Sequence, residues 1–380
     1  MATPVERTGL WRHIFIASLY ILNLILMRKL TILLVGLLLS VGEVYATHPE
    51  HLWLGGDISG TTANEARGIF SADTTGMVTE NTLLMKNYGM DAVRLRVWVN
   101  PKDGWSSKED VLTMAKRAKD LGMEIMIDFH YSDWWADPGK QNIPKAWESY
   151  DLPQMKEALA NHTKETLGLL KDNGINVKWV QVGNETRDGM LWPMGQISQG
   201  NFKNYAELSQ AGYDAVKEIY PDAAVIVHID NGYDNDVYNF IFDGLKENNS
   251  KWDIIGMSVY PYWAMEAGKE PDADSTLKDA AENIRRLKEK YGCDIMITEV
   301  GVESEKPEEG EKIMNQLFDL VINDVDGACT GVFYWAPESF QTTDFYGNKR
   351  GYALGAFRNA RPTKIMNSFK RASEIMRTTR

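Results

Sequence analysis

The chain predicts an α/β fold: a single (β/α)8 TIM barrel with long βα loops after strands three and eight. Three observations lead there. From residue 52 onward, short β-rich runs alternate strictly with longer amphipathic segments, the pattern of a parallel sheet with helices outside. Eight repeats are present, the number that closes a barrel, and 380 residues accommodate a barrel of about 250 with long loops. The ends of the strand runs also carry charged and aromatic residues, and such barrels place their chemistry at that C-terminal rim.

Each repeat is justified by its own apolar period. The strand run Leu52–Ile58 precedes a helical pattern at Thr79–Tyr88, and Ala92–Trp98 precedes Lys108–Leu121. Glu124–His130 leads to Leu152–Asn173, Lys178–Asn184 to Asn201–Tyr220, and Ala224–Ile229 to Val237–Glu247. Asp253–Tyr260 leads to Thr276–Tyr291, Asp294–Glu299 to Glu308–Asn323, and Thr330–Trp335 to Pro362–Arg377. The long loops are Ser132–Tyr150 and Ala336–Phe357. No Pro-, Gly- or Ser-rich linker interrupts the series, so residues 47–380 are expected to form one catalytic domain.

Read at their last residues, the strands make a ring. The first ends at Asp57, and the second carries Arg94 and Arg96, two apart and therefore on one face. The third ends Asp128-Phe129-His130, the fourth Asn184-Glu185, and the fifth His228-Ile229-Asp230. The sixth ends Tyr260-Pro261-Tyr262-Trp263, the seventh Glu299 and the eighth Trp335. Taken alone, Asn184-Glu185 could equally cap a helix. Glu299 tips the balance, because it finishes the apolar run IMITE, where a carboxylate is costly without compensation. An arginine of the second strand would hold Glu299 ionised, leaving Glu185 with the raised pKa. One charged and one protonated carboxyl are what glycoside cleavage requires.

Composition narrows the ligand. A net charge of −12 without a basic cluster argues against nucleic acid and suits a neutral partner. Trp134 and Trp135 lie in the polar segment SDWWADPGK, and with Trp263 they offer faces for sugar rings, the alternative being core packing. At the N-terminus, Met27-Arg28-Lys29, the apolar run from Leu30 and Val44-Tyr45-Ala46 read as a signal peptide region within residues 1–46. Translation could start at Met27, and an uncleaved anchor is the alternative reading. Export, secreted or periplasmic, follows either way, and no Cys after the cleavage region supports a lipoprotein. Cys293 and Cys329 precede neighbouring strand runs and are expected to form a disulfide, against the alternative of two free thiols.

Seven segments together resemble a known family: GGDISG (55–60), MKNYGMDAVRLRVWVNP (85–101), DFHYSDWWADPGKQ (128–141), WVQVGNET (179–186), DIIGMSVYPYW (253–263), ITEVG (297–301) and GVFYWAPE (331–338). They look like the arabinogalactan endo-β-1,4-galactanases, glycoside hydrolase family 53, over residues 52–375. The resemblance implies Glu185 as acid/base, Glu299 as nucleophile, and double displacement with carboxyls about 5–5.5 Å apart. It implies that Asn184 binds the hydroxyl beside the reacting carbon, and that Tyr260, Arg94 and Arg96 orient Glu299. Asp57, His130, His228 and Trp335 would line the cleavage subsite, with Trp134, Trp135 and Trp263 as stacking platforms. Bacterial members can carry calcium, for which Asp272, Asp274 and Asp344 are candidate ligands, structural and without part in the chemistry. A polysaccharide substrate and a monomer are expected, with Phe340, Phe345 and Tyr346 setting product length. The alternatives are a β-mannanase or β-glucanase of the same clan, or a non-catalytic carbohydrate-binding barrel, against which the presence of both carboxylates counts.

Overall fold

The computed structural model describes residues 51–343 and 348–378; the leader expected within 1–46, and Asp344, Phe345 and Tyr346, lie outside them. Eight parallel strands close into a barrel. They are β1 (Trp53–Asp57), β2 (Ala92–Val97), β3 (Glu124–Phe129), β4 (Trp179–Val182), β5 (Ala224–Ile229), β6 (Ile254–Val259), β7 (Asp294–Val300) and β8 (Cys329–Trp335). Each pairs with its neighbours in sequence, and β8 closes on β1. The helices are α1 (Thr61–Ala66), α2 (Asn81–Asn87), α3 (Lys108–Asp120), α4 (Leu152–Asp172), α5 (Phe202–Ile219), α6 (Asn235–Glu247), α7 (Pro261–Glu266), α8 (Ala273–Tyr291), α9 (Pro307–Asn323) and α10 (Asn367–Thr378). Two of them, α1 and α7, are short rim helices that the apolar period does not announce.

Two apolar layers hold the barrel. Inside it, Ala92, Met126, Trp179, Ile226, Met296 and Phe333 pack across the axis. Outside, Val93, Ile127, Val180, Val227, Ile255, Ile297 and Val332 face the helices in the larger core. The alternation of the strands sorts the two sets. Gly55 leaves room for the Phe333 ring, since a Cβ there would come 2.3 Å from it. Side chains satisfy the first N–H groups of several helices: Asp151 and Gln154 form a capping box on α4, and Ser107 and Asp272 cap α3 and α8.

Cys293 and Cys329 are free thiols, against the disulfide expected from their positions. The register explains it: Cys329 lies across from Ile295, so Cys293 falls two residues short of it along the strand direction. Among the described residues, no helix is long and apolar enough to cross a membrane.

Candidate active site

The turn after β4 is not a helix cap. The next helix, α5, begins only at Phe202, beyond a short hairpin pairing Gly189–Met190 with Gly195–Gln196. Instead Gly183 at φ 90° and Glu185 at φ 49° turn the chain sharply over the barrel mouth. A glutamate in the left-handed region is strained, and such strain gathers where a side chain must be aimed.

Glu299 arrives by a different device. Met296 faces into the barrel and Ile297 outward, so strict alternation would turn residue 299 away from the axis. The pairing of β6 with β7 slips at this point, from Met257 opposite Ile297 to Ser258 opposite Glu299. That irregularity brings Glu299 to the inner rim, as bulges beside active sites commonly do.

The two carboxyls open on one cavity of about 550 Å³ at the strand C-terminal ends, lined also by Trp135, Asn184, Tyr260, Trp263 and Trp335. Behind its floor, the fully buried Arg94 guanidinium spans the β1–β3 side. Its Nη2 lies 2.9 Å from Glu299 Oε1 and 2.9 Å from Asp128 Oδ2, and its Nη1 lies 2.7 Å from Asp57 Oδ2. It also donates to Asn184 Oδ1 at 2.8 Å and Gln181 Oε1 at 2.7 Å. Burial opposes the arginine charge, but the three carboxylates outweigh it and hold its pKa above the ordinary value. Tyr260 donates to Glu299 Oε2 at 2.9 Å.

Glu185 sits at the end of a chain of hydrogen bonds that joins the Arg94 cluster through Gln181 and Asn184. Ser258 Oγ donates to Glu185 Oε1 at 2.6 Å, and His228 Nε2 lies 2.8 Å from Ser258 Oγ. His228 Nδ1 in turn lies 2.9 Å from Gln181 Nε2 and 3.0 Å from Asn184 Oδ1. Burial first, then Arg94, push His228 well below its usual pKa, so the ring is neutral.

The pKa order follows from these surroundings. Burial, Glu299 and Asp230 raise Glu185 well above the ordinary glutamate value. Glu299 is also raised, to about 7, chiefly by burial, with Arg94 acting the other way. Arg94 does not hold Glu299 at an ordinary value because Asp128 and Asp57 share the same guanidinium. Glu185 therefore keeps its proton more firmly than Glu299 does, in the order the sequence anticipates.

Several expected residues stand elsewhere. Arg96 does not reach Glu299: its guanidinium lies 3.9 Å from the Trp135 ring and 4.5 Å from Trp98, and it donates to Ser106. It braces the aromatic wall by cation–π contact. Asp57 and His228 lie behind the cavity wall, held by Arg94 and Ser258. His130 accepts from Ala136 N and pairs with Asp128, pinning the loop after β3 rather than facing the cavity. Trp134 is 55% exposed and packs against Trp98 with its ring tilted by 36°, at a neighbouring cavity of about 150 Å³ that Trp105 also lines. Trp263 is 50% exposed at the main cavity's edge.

The sequence did not single out Tyr352, Ser258, Gln181 or Asn231. Tyr352 lines the cavity from the loop after β8, its ring 4.5 Å from Trp335. No strand-end rule reaches a residue that returns from a loop. Ser258 and Gln181 precede their strand ends and were legible only as inward-facing polar residues.

Two of the candidate calcium ligands are described, and each is engaged within the chain. Asp272 caps α8 by accepting from Ser275 N, and Asp274 pairs with Lys278. Among the described residues, no three His, Cys, Asp or Glu side chains gather to hold a metal ion.

The model of Glycosyl hydrolase family 53 matches residues 53–370. A protein of Emericella nidulans named arabinogalactan endo-beta-1,4-galactanase A is 30% identical over 323 residues, 79% of this chain and 89% of that one. A solved structure described under two fungal beta-1,4-galactanases superposes with a TM-score of 0.73 at 26% identity, covering 84% of this chain and 99% of that one. The Ignisphaera aggregans GH53 catalytic domain gives 0.74 at 26% identity, covering 84% of this chain and 96% of its own. With its match spanning the whole barrel and two carboxyls sharing the mouth, the chain belongs to glycosyl hydrolase family 53.

Proposed function

We propose that the protein is an endo-acting, retaining glycoside hydrolase that cleaves β-1,4-galactosidic linkages of type I arabinogalactan. The observation that carries this is the pair of carboxyls on one cavity, the half-buried Glu185 bonded by Ser258 and the buried Glu299 held by Arg94 and Tyr260. Family membership supplies the substrate class through relatives named as galactanases.

Glu299, oriented by Arg94 and Tyr260, attacks the anomeric carbon while Glu185 gives its proton to the departing oxygen. The proton leaves Glu185 at the moment the glycosyl ester on Glu299 neutralises the charge that had raised its pKa. Glu185 is then ionised and takes a proton from water, which releases the sugar with retention. Asn184, fixed by Arg94 and by its bond to Ala136 O, binds the hydroxyl beside the reacting carbon in this reading. Trp135, Trp263 and Trp335 offer apolar faces to sugar rings. No step requires a metal ion.

Incubation with linear β-1,4-galactan, β-mannan and β-glucan, followed by chromatography of the products, tests the reading. Short galacto-oligosaccharides from galactan alone are expected. Release from mannan or glucan in preference to galactan would overturn the substrate assignment.

A further inference from the structure

One carboxylate of the cavity has no part in this chemistry. Asp230 follows β5, is 6% exposed and lines the cavity beside Asn231. Its Oδ2 lies 3.3 Å from Arg187 Nη1, while its Oδ1 has no hydrogen-bond partner. An unpartnered, buried acceptor on a residue that lines a binding cavity is costly for the protein alone and is satisfied by a ligand donor.

Its position says which donor. The cluster that holds Glu299 comes from β1, β2 and β3, through Asp57, Arg94 and Asp128. Asp230 stands on β5, between the strand that carries Glu185 and the strand that carries Ser258. Its charge bears on Glu185 directly. The acid faces the oxygen that departs, so the sugar carried off by that oxygen lies on the acid's side of the mouth. We propose that Asp230 accepts a hydrogen bond from a hydroxyl of the leaving-side sugar, making it a substrate-binding residue of the first leaving-group subsite. This rests on the retaining-galactanase reading above. Burial raises Asp230 to about 6 against the opposing charge of Arg187, and the sugar hydroxyl completes its Oδ1.

The test compares two leaving groups. Asp230→Ala and Asp230→Asn are assayed on β-1,4-galactotetraose, which departs as a sugar, and on 4-nitrophenyl β-1,4-galactobioside, which departs as a phenol without hydroxyls. On the tetraose, kcat/KM of the alanine variant is expected to fall about ten- to one-hundred-fold, with a smaller fall for asparagine, which keeps an acceptor. On the aryl substrate it should change less than about three-fold, and that turnover also reports that the variants fold. If Asp230→Ala does not fold, the isosteric asparagine variant carries the comparison. Equal losses on both substrates, or no loss on either, would overturn the inference alone. A wild-type enzyme inert on both would overturn the galactanase reading, and this inference with it.

Discussion

Glu299 is buried and Glu185 half-buried on the same cavity, and their loss is expected to read out differently. Glu299→Gln removes the nucleophile and should cut kcat on galactan by at least about 10³-fold. Glu185→Gln should cost about 10²–10⁴-fold on galactan but much less in the first step on a dinitrophenyl glycoside, whose leaving group needs no proton. Pre-steady-state release of dinitrophenol checks this as a burst in Glu185→Gln that is absent from Glu299→Gln. A third carboxyl is structural. Glu338 is 6% exposed, its Oε2 has no partner, and burial pushes it up to about 7, with Asn81 opposing. Its folded pKa exceeds the unfolded one, so its contribution to stability is complete below about 4.5 and is lost as pH rises through 7. Glu338→Gln should therefore gain stability over wild type at pH 8, by on the order of 3 kcal/mol, relative to their difference at pH 4. Calorimetry at the two pH values decides it. Equal differences at both would mean that the carboxyl is not held protonated.

Element by element, legibility depended on where the information lies. The bounds of β5, Ala224–Ile229, are those read from its apolar run, because a strand buried on both faces declares itself locally. The bulge that aims Glu299 is a relation between β6 and β7, and no residue within ITEVG signals it. Arg96 shares strand parity with Arg94 but lies nearer the rim, where aromatic faces compete for it better than a carboxylate already held by Arg94. Helix α1 is too short to show a period, and its buried Thr61, Thr62 and Ala63 read as loop. The disulfide failed for a similar reason, since adjacency of two strands was legible while their register was not. Register also makes α5 a site for a test. A Cβ on Gly212 would meet Val182 of β4 at 2.5 Å. Alanine gains about 1 kcal/mol of helix propensity, but overpacking a close contact costs about 1–3 kcal/mol, so the net effect is destabilising. Because β4 leads directly to Glu185, Gly212→Ala should lower both the melting temperature and kcat. A stabilised variant with unchanged kcat would show that helix and strand move apart freely.

For the whole molecule, the barrel and the ring of chemistry at its mouth were legible because alternation, strand count and strand ends are all properties of the linear chain. What the sequence lacked was depth: it could not separate residues that face the cavity, such as Tyr260, from residues behind it, such as Asp57 and His228. Depth also sets the pH behaviour. The active form carries Glu299 ionised and Glu185 protonated, so activity should rise with pH as Glu299 loses its proton near 7. It should fall only at higher pH, as Glu185 ionises. A kcat/KM profile whose acid limb lies at the ordinary glutamate value, near 4.5, would contradict the crowded guanidinium described here. The division of labour between the two carboxyls is tested most directly by trapping. Treatment with a 2,4-dinitrophenyl 2-deoxy-2-fluoro-β-galactobioside, followed by peptide mass spectrometry, should place one glycosyl group per chain on Glu299. A label on Glu185, or hydrolysis through an inverted product with no trapped ester, would contradict the account.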